Sequence, residues 1–242
     1  MKQRKRIVYI TGATGGVGSA LVTHLKQIDD RSVQICALQR GKIKLDEKYK
    51  AIKYDLLNPD YTDIYRWTNE QRNQYEIAEF ILILCAGTIT PIASMTKIDD
   101  MDLERHVAVN IKGQIFLIKR IAAEADEMDV PLRIIYLDSG AAYRPISGWG
   151  LYCSAKAYMS MYLQVLQEEN PAYKIVLVDP GVIDTKMQKA IRNAPNKIFP
   201  DVEVFIKYKE NGQLKTPEEV AERLAERYIY GWAANNIKEK LP

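Results

Sequence analysis

Six short runs of apolar, largely β-branched residues recur along most of the chain: IVYI at 7–10, VQICAL at 33–38, AIKY at 51–54, FILIL at 80–84, RIIYL at 133–137 and KIVLV at 174–178. In the most apolar of them polar residues do not alternate with apolar ones, the pattern of strands covered on both faces. Helical patterns fill the intervals, most clearly over 100–125, where Leu103, Val107, Ile111, Ile115 and Ile118 recur three or four residues apart. Strand, helix, strand, repeated, predicts an α/β fold: a doubly wound parallel sheet of six strands with right-handed crossovers. At 242 residues, 47% hydrophobic and 27% charged, one large core suffices, and a single domain over 1–242 is the economical reading.

Thirty-four basic against thirty-one acidic residues leave a net charge of +3. No long single-sign block follows the MKQRKR start, so neither a nucleic acid nor a membrane surface is expected as partner. The apolar run behind that start ends after four residues at Thr11-Gly12, too short for an export signal. The longest apolar stretch, 80–86, falls far below the ~20 residues of a membrane-spanning helix. Cys36, Cys85 and Cys153 are odd in number and lie in apolar or small-residue contexts, which suits reduced thiols in a cytoplasmic protein.

Directly after the first run comes Thr11-Gly12-Ala13-Thr14-Gly15-Gly16-Val17-Gly18, followed by a helical pattern from Ser19 to Ile28. Glycines allow a tight turn and close approach of a ligand to the backbone, and the following helix presents free N–H groups and its positive dipole end to a pyrophosphate. Gly12, Thr14, Gly15, Gly16, Val17 and Gly18 are therefore candidate cofactor contacts; the alternative is a tight turn and nothing more. Dinucleotide sites of this type carry an acid at the end of the second strand for ribose hydroxyls, or a basic residue for a 2′-phosphate. Here Leu38-Gln39-Arg40-Gly41-Lys42 offers no acid before Asp46, so Arg40, with Lys42 in support, favours NADP(H) over NAD(H). The alternative is a solvated basic loop. Asp55, after the third strand, either accepts from an adenine amino group or caps a turn.

Tyr152 and Lys156, four residues apart in GWGLYCSAKAYM, share one face if that stretch is helical. Ser139 lies at the end of the fifth strand, where ligands sit outside the carboxyl ends of parallel strands, and residues 140–150 can curl to bring Tyr152 beside it. Thr216-Pro217-Glu218-Glu219 is a capping box with proline at the first helical position, predicting a helix through Tyr228. Residues 186–215 show no steady period and are expected to be a mobile, substrate-binding segment rather than a framework element.

In order, Thr11-Gly12…Gly16-Val17-Gly18, Cys85-Ala86-Gly87, Asn110, Ser139, Tyr152-x-x-x-Lys156 and Pro180-Gly181-x-Ile183-x-Thr185 resemble the short-chain dehydrogenase/reductase family over residues 6 to about 230. Within it, Gly148-Trp149-Gly150-x-Tyr152-Cys153 and the stretch 180–188 are most similar to the benzil reductase and sepiapterin reductase branch. The resemblance implies a Rossmann fold and roles for each motif. Tyr152 is then the general acid, Lys156 lowers its pKa and bonds the nicotinamide ribose, and Ser139 donates to the substrate carbonyl. Asn110 matches the residue that holds a water in a proton relay, although an asparagine there could equally bond the backbone of its own kinked helix. Ala86, Gly87, Pro180 and Gly181 fall along the cofactor, the Ile183 backbone at its carboxamide and Thr185 at its pyrophosphate.

Physical need agrees with the tyrosine–lysine pair. Bringing a tyrosine from near 10 toward 7 takes roughly three pKa units, about 4 kcal/mol. One positive charge ~4 Å away at an effective dielectric of ~20 supplies about that much, before desolvation subtracts some.

Two departures carry expectations. Cys85-Ala86-Gly87 stands where the family often has Asn-Asn-Ala-Gly, which removes polar side chains that tie the sheet to a helix and predicts altered packing. The tail, YGWAANNIKEKLP, shows no convincing seventh strand and no match to the C-terminal aspartate that anchors a pterin, which puts a pterin substrate in doubt.

The expected function is NADPH-dependent reduction of a small ketone, 1,2-diketone or aldehyde, by a homodimer or homotetramer as the resemblance implies. The rivals are an NADP(H)-binding sensor or scaffold, and an NAD-dependent secondary-alcohol dehydrogenase. Sensors of this fold tend to lose the tyrosine or the lysine, and both are kept here. His24 and His106 are far apart and lack ligand-type neighbours, so no metal site is expected. Tyr143, Trp149, Met187, Ile191 and Phe199 either line an aromatic-tolerant pocket or fill a core.

Overall fold

In the computed structural model, which describes residues 2–28, 30–41 and 49–241, each of the six apolar runs falls wholly or largely within a strand. These are β1 (Arg4–Thr11), β2 (Val33–Gln39), β3 (Lys50–Lys53), β4 (Glu76–Leu84), β5 (Leu132–Leu137) and β6 (Lys174–Asp179). The helices are α1 (Gly16–Ile28), α2 (Thr62–Gln74), α3 (Asp100–Val107), α4 (Gly113–Glu127), α5 (Gly150–Glu169), α6 (Lys186–Arg192), α7 (Val202–Glu210) and α8 (Pro217–Leu224). With β7 (Lys238–Lys240) the sheet has seven parallel strands in the order β3-β2-β1-β4-β5-β6-β7.

Both faces of the sheet are covered. On β1, Ile7 and Tyr9 pack with Ile64 and Trp67 of α2, Leu117 and Ile121 of α4 and Met159 of α5. Val8 and Ile10 pack with Leu21 and Leu25 of α1 and Val220 and Leu224 of α8. Alternate residues feed opposite apolar layers, which is why these runs lack polar alternation. The strand order reverses between β1 and β4, so the chain leaves their carboxyl ends in opposite directions and opens a crevice there.

Four local expectations are revised. A seventh strand exists: Lys238, Glu239 and Lys240 pair with Leu177, Val178 and Asp179. It is a charged edge strand, fixed by its flanks: Leu177 N–H donates to the Ile237 carbonyl at 2.7 Å, Leu241 N–H donates to the Asp179 carbonyl at 2.9 Å, and the Leu241 side chain is buried. The helix expected over 100–125 is interrupted by a π turn at Ala108–Lys112, which inserts one residue and turns Asn110 inward. The capping box at Thr216 is present, with both of its hydrogen bonds, but α8 gives way to a second π turn, Ala225–Tyr230. Residues 186–215, aperiodic in sequence, contain α6 and α7, whose Ile191, Val202 and Phe205 are buried in a third apolar cluster.

Candidate active site

The crevice between β1 and β4 is shaped by backbone. Gly12 has φ +68°, and a Cβ there would sit 3.1 Å from Ala86 N and Cα, so the loop after β1 lies directly against the chain leaving β4. Gly16 has φ +42°, and its Cβ would meet Thr185 Cγ2 at 3.0 Å. Three predicted cofactor motifs, the glycine loop, Ala86-Gly87 and Thr185, are thus brought together. A cleft of about 440 Å³ opens beside the loop, with Thr14, Gly16 and Ser19 on one wall and Asp184, Thr185 and Lys186 on the other. The first turn of α1 carries no acid, so its positive dipole end is left for an anion. The backbone of the loop and the acid-free N-terminal turn of α1 fit the pyrophosphate of a dinucleotide.

At the carboxyl end of β5, Ser139 Oγ accepts from Ala141 N–H at 3.2 Å, and its side chain lies close enough to the Tyr152 phenol to pull the phenol's pKa down. Tyr152 is buried on α5. Burial pushes its pKa well up, Ser139 opposes this, and the carboxylates of Asp138 and Asp179 add to the rise. One turn later, Lys156 donates to the Leu137 carbonyl at 2.5 Å, and its Nζ lies 4.4 Å from the centre of the Tyr136 ring. Burial pushes the lysine down to about 8, with Asp138 opposing. Asp138 is itself buried, and one carboxylate oxygen accepts from Tyr143 OH at 2.6 Å. Burial raises its pKa, and Tyr143 and Lys156 pull it back. Sequence reasoning missed Asp138, although an acid directly before Ser139 at a strand end was visible.

Asn110 does not use its amide on the backbone of its own helix. It grips the chain after β4, with Thr88 N–H donating to Oδ1 at 2.9 Å and Nδ2 donating to the Thr88 carbonyl at 2.9 Å. Gln114 donates to the Ala86 carbonyl at 3.1 Å, and Thr11 Oγ1 accepts from Ala86 N–H at 3.1 Å. The polar tie that Cys85-Ala86-Gly87 cannot supply is therefore made by helix side chains reaching strand backbone. His106, Asn110 and Gln114 recur four residues apart and are all buried, and this shared spacing, with Gln114, is the signal that the sequence reading did not use.

Trp149, Ile191 and Phe199 are buried around Tyr152, with Met187 packed at the margin. Trp149 stacks on Phe199 at 5.0 Å and meets Tyr152 edge-on at 5.8 Å. Tyr143 stands apart, largely exposed, its hydroxyl turned to Asp138 and Ser160.

Arg40 is exposed at the end of β2, and Lys42 and Asp46 lie outside the described residues. Asp55 Oδ1 accepts from Leu57 N–H at 3.1 Å, the turn-capping alternative. After β6, Gly181 N–H donates to Asp179 Oδ1 at 2.9 Å, Ile183 forms an isolated bridge with Lys215, and Thr185 caps α6. The Pro180–Thr185 stretch thereby leads from the sheet edge to the glycine loop.

The sequence profile of the short chain dehydrogenase family matches residues 6–196. The chain is 32% identical over 236 residues to a benzil reductase ((S)-benzoin forming) from Bacillus cereus, covering 90% of this chain and 92% of that one. It is 26% identical over 202 residues to sepiapterin reductase from Meriones unguiculatus, covering 77% of each. In fold it is similar to the crystal structure of the KRED1-Pglu enzyme, with a TM-score of 0.83, 24% identity and coverage of 97% and 100%.

Proposed function

The chain belongs to the short-chain dehydrogenase family of nicotinamide-dependent oxidoreductases, and from that premise we propose that it is an NADPH-dependent reductase of small ketones, 1,2-diketones or aldehydes. The observation that carries the reading is the convergence of Ser139, Tyr152 and Lys156 at the carboxyl end of β5, beside the glycine-loop crevice.

Bound in the crevice, the dinucleotide supplies the hydride. Ser139 donates to the substrate carbonyl oxygen and holds it at the Tyr152 hydroxyl. Tyr152 gives its proton to that oxygen as the carbonyl carbon is reduced, so carbonyl, hydride and proton leave as an alcohol. Burial favours the neutral phenol, the form a reduction needs at the start of each turnover. The Lys156 ammonium steadies the phenolate left behind, and Asn110 holds the relay through which the proton is replaced.

Arg40 recognises the 2′-phosphate, since Gln39, Arg40 and Gly41 present no competing carboxylate. The segment 186–215 binds substrate through the aromatic wall over Tyr152, and the Bacillus cereus relative supports aromatic 1,2-diketones within the substrate class. Tyr158, Met161 and Val165 form an exposed apolar stripe on α5 that suits a homodimer or homotetramer. Three free thiols suit the cytoplasm.

A screen of 1,2-dicarbonyls, ketones and aldehydes with NADPH, followed by loss of cofactor absorbance, tests the reading. Turnover is expected with at least the dicarbonyls; a protein that binds NADPH and oxidises it with none of them is a sensor, and the proposal falls.

A further inference from the structure

The Asn110 amide has one more partner, and its hydrogen bonds fix a protonation state. A backbone N–H only donates and a carbonyl only accepts, so the two Thr88 bonds decide which way the amide faces. Asn110 Nδ2 then meets His106 Nε2 at 2.8 Å, and this ring nitrogen must offer a lone pair. The ring proton therefore sits on Nδ1, where the Thr90 carbonyl accepts it at 3.1 Å. His106 and Asn110 are 1% and 5% exposed, so a broken bond between them is not readily replaced by water.

We propose that His106, as the neutral Nδ1–H tautomer, is a positioning residue that locks the Asn110 amide onto the Thr88 backbone, and that a proton on Nε2 releases it. The inference rests on the reading of Asn110 as part of the reductase site. A charged imidazole has two donors and no acceptor, so Nε2–H would oppose Nδ2–H. Either Nε2–H turns from the amide toward the Leu151 carbonyl, which also faces the ring, or the amide rotates and breaks both Thr88 bonds; in both cases the bond that holds Nδ2 is lost. Asn110 Oδ1 also lies 3.2 Å from the position of a Cβ on Gly87, so the disturbance reaches the chain lining the crevice.

The ring meets the Thr90 carbonyl, Asn110 of the π turn and the Leu151 carbonyl of α5. Residues 88–92 carry no titratable side chain, the π turn carries Lys112, α5 carries Tyr152, Cys153 and Lys156 beyond Leu151, and α3 carries the exposed Glu104 and Arg105 as chain neighbours. Burial holds the imidazole below its ordinary 6.5, with the Thr90 and Leu151 carbonyls opposing. The neutral lock is present at neutral pH and lost as pH falls through that lowered value.

The test is NMR of the full-length, ¹⁵N-labelled protein from about pH 8 to about pH 5, alongside the pH dependence of kcat. The His106 ring is expected to carry its proton on Nδ1 at the upper end, and the Asn110 side-chain amide to shift with the midpoint of the ring. Gln offers an acceptor oxygen that does not titrate. His106→Leu is therefore expected to lower kcat roughly tenfold with a smaller change in carbonyl KM, and His106→Gln to restore most of it without the acid limb. A ring protonated on Nε2 at the upper end, an Asn110 amide indifferent to the His106 midpoint, or an acid limb retained in His106→Gln overturns the proposal. A wild-type protein that oxidises NADPH with no carbonyl sinks the reductase reading instead, and the NMR arm then decides the His106 lock by itself.

Discussion

The Lys156 ammonium stands 5.7 Å from the centre of the Tyr152 ring, one turn along the same helix. In the proposed reaction the transferred proton is that of Tyr152, while burial, Ser139, Asp138 and Asp179 set the resting phenol's pKa. Tyr152→Phe keeps the ring and its edge-on contact with Trp149 while removing the hydroxyl. Turnover is expected to fall roughly 10²- to 10⁴-fold, the range for loss of a general acid, while NADPH affinity by fluorescence titration changes far less. Retained turnover would move the acid role to another group.

The pH dependence follows from the lysine. Its pKa is lowered, so Nζ keeps its charge below about 8 and loses it as pH rises through that value. An alkaline decline in kcat/KM centred near there is expected, since this quantity reports groups of the free enzyme. Asp138 is the largest influence holding the lysine up, so Asp138→Asn should move the decline to lower pH. A limb that stays in place in the variant would remove Asp138 from the tuning of Lys156.

What could be read from sequence was what is local. β1, β2 and β4 to β6 announce themselves by apolar runs, and Ser139, Tyr152 and Lys156 by spacing and order. β7 could not be read that way, because Lys-Glu-Lys has no strand character of its own and is held by Ile237, Leu241 and the edge of β6. The π turn at 108–112 adds a single residue, too little to disturb a three-or-four periodicity spread over residues 100–125. α6 and α7 are short and separated by Pro195, so neither fills a window long enough to show a period. Asp138 and His106 have their partners fixed by tertiary structure, Asp138 with Tyr143 and Lys156 and His106 with the Thr90 carbonyl, so the sequence around them carries no mark of the contact.

The proposed preference for NADPH turns on Arg40, exposed at the end of β2 between Gln39 and Gly41. Arg40→Ala should weaken NADPH binding roughly 10- to 100-fold, the loss of charge-assisted contacts to a phosphate, and leave NADH binding almost unchanged. Titration calorimetry with both dinucleotides measures this directly. Equal affinities for the two in the wild type, undisturbed by the substitution, would eliminate the 2′-phosphate argument.

Phe199 ties stability to the aromatic cluster proposed to bind substrate. It is fully buried, lies 10° from parallel to Trp149, and packs against Phe205 at 5.5 Å. Phe199→Ala removes that support, and cavity formation of this kind costs about 3–5 kcal/mol, read as a drop in the denaturation midpoint. The cavity frees Trp149, whose edge rests on Tyr152, so the carbonyl KM should rise several-fold while the NADPH KM, set across the crevice at the glycine loop, stays nearly constant. Phe199→Leu refills much of the volume and should recover most of the stability but less of the KM, because an aliphatic side chain cannot reproduce the flat stack that orients the indole. Equal rises in both KM values would instead mean that α6 and α7 support the nucleotide crevice, and the aromatic wall would lose its role in substrate choice.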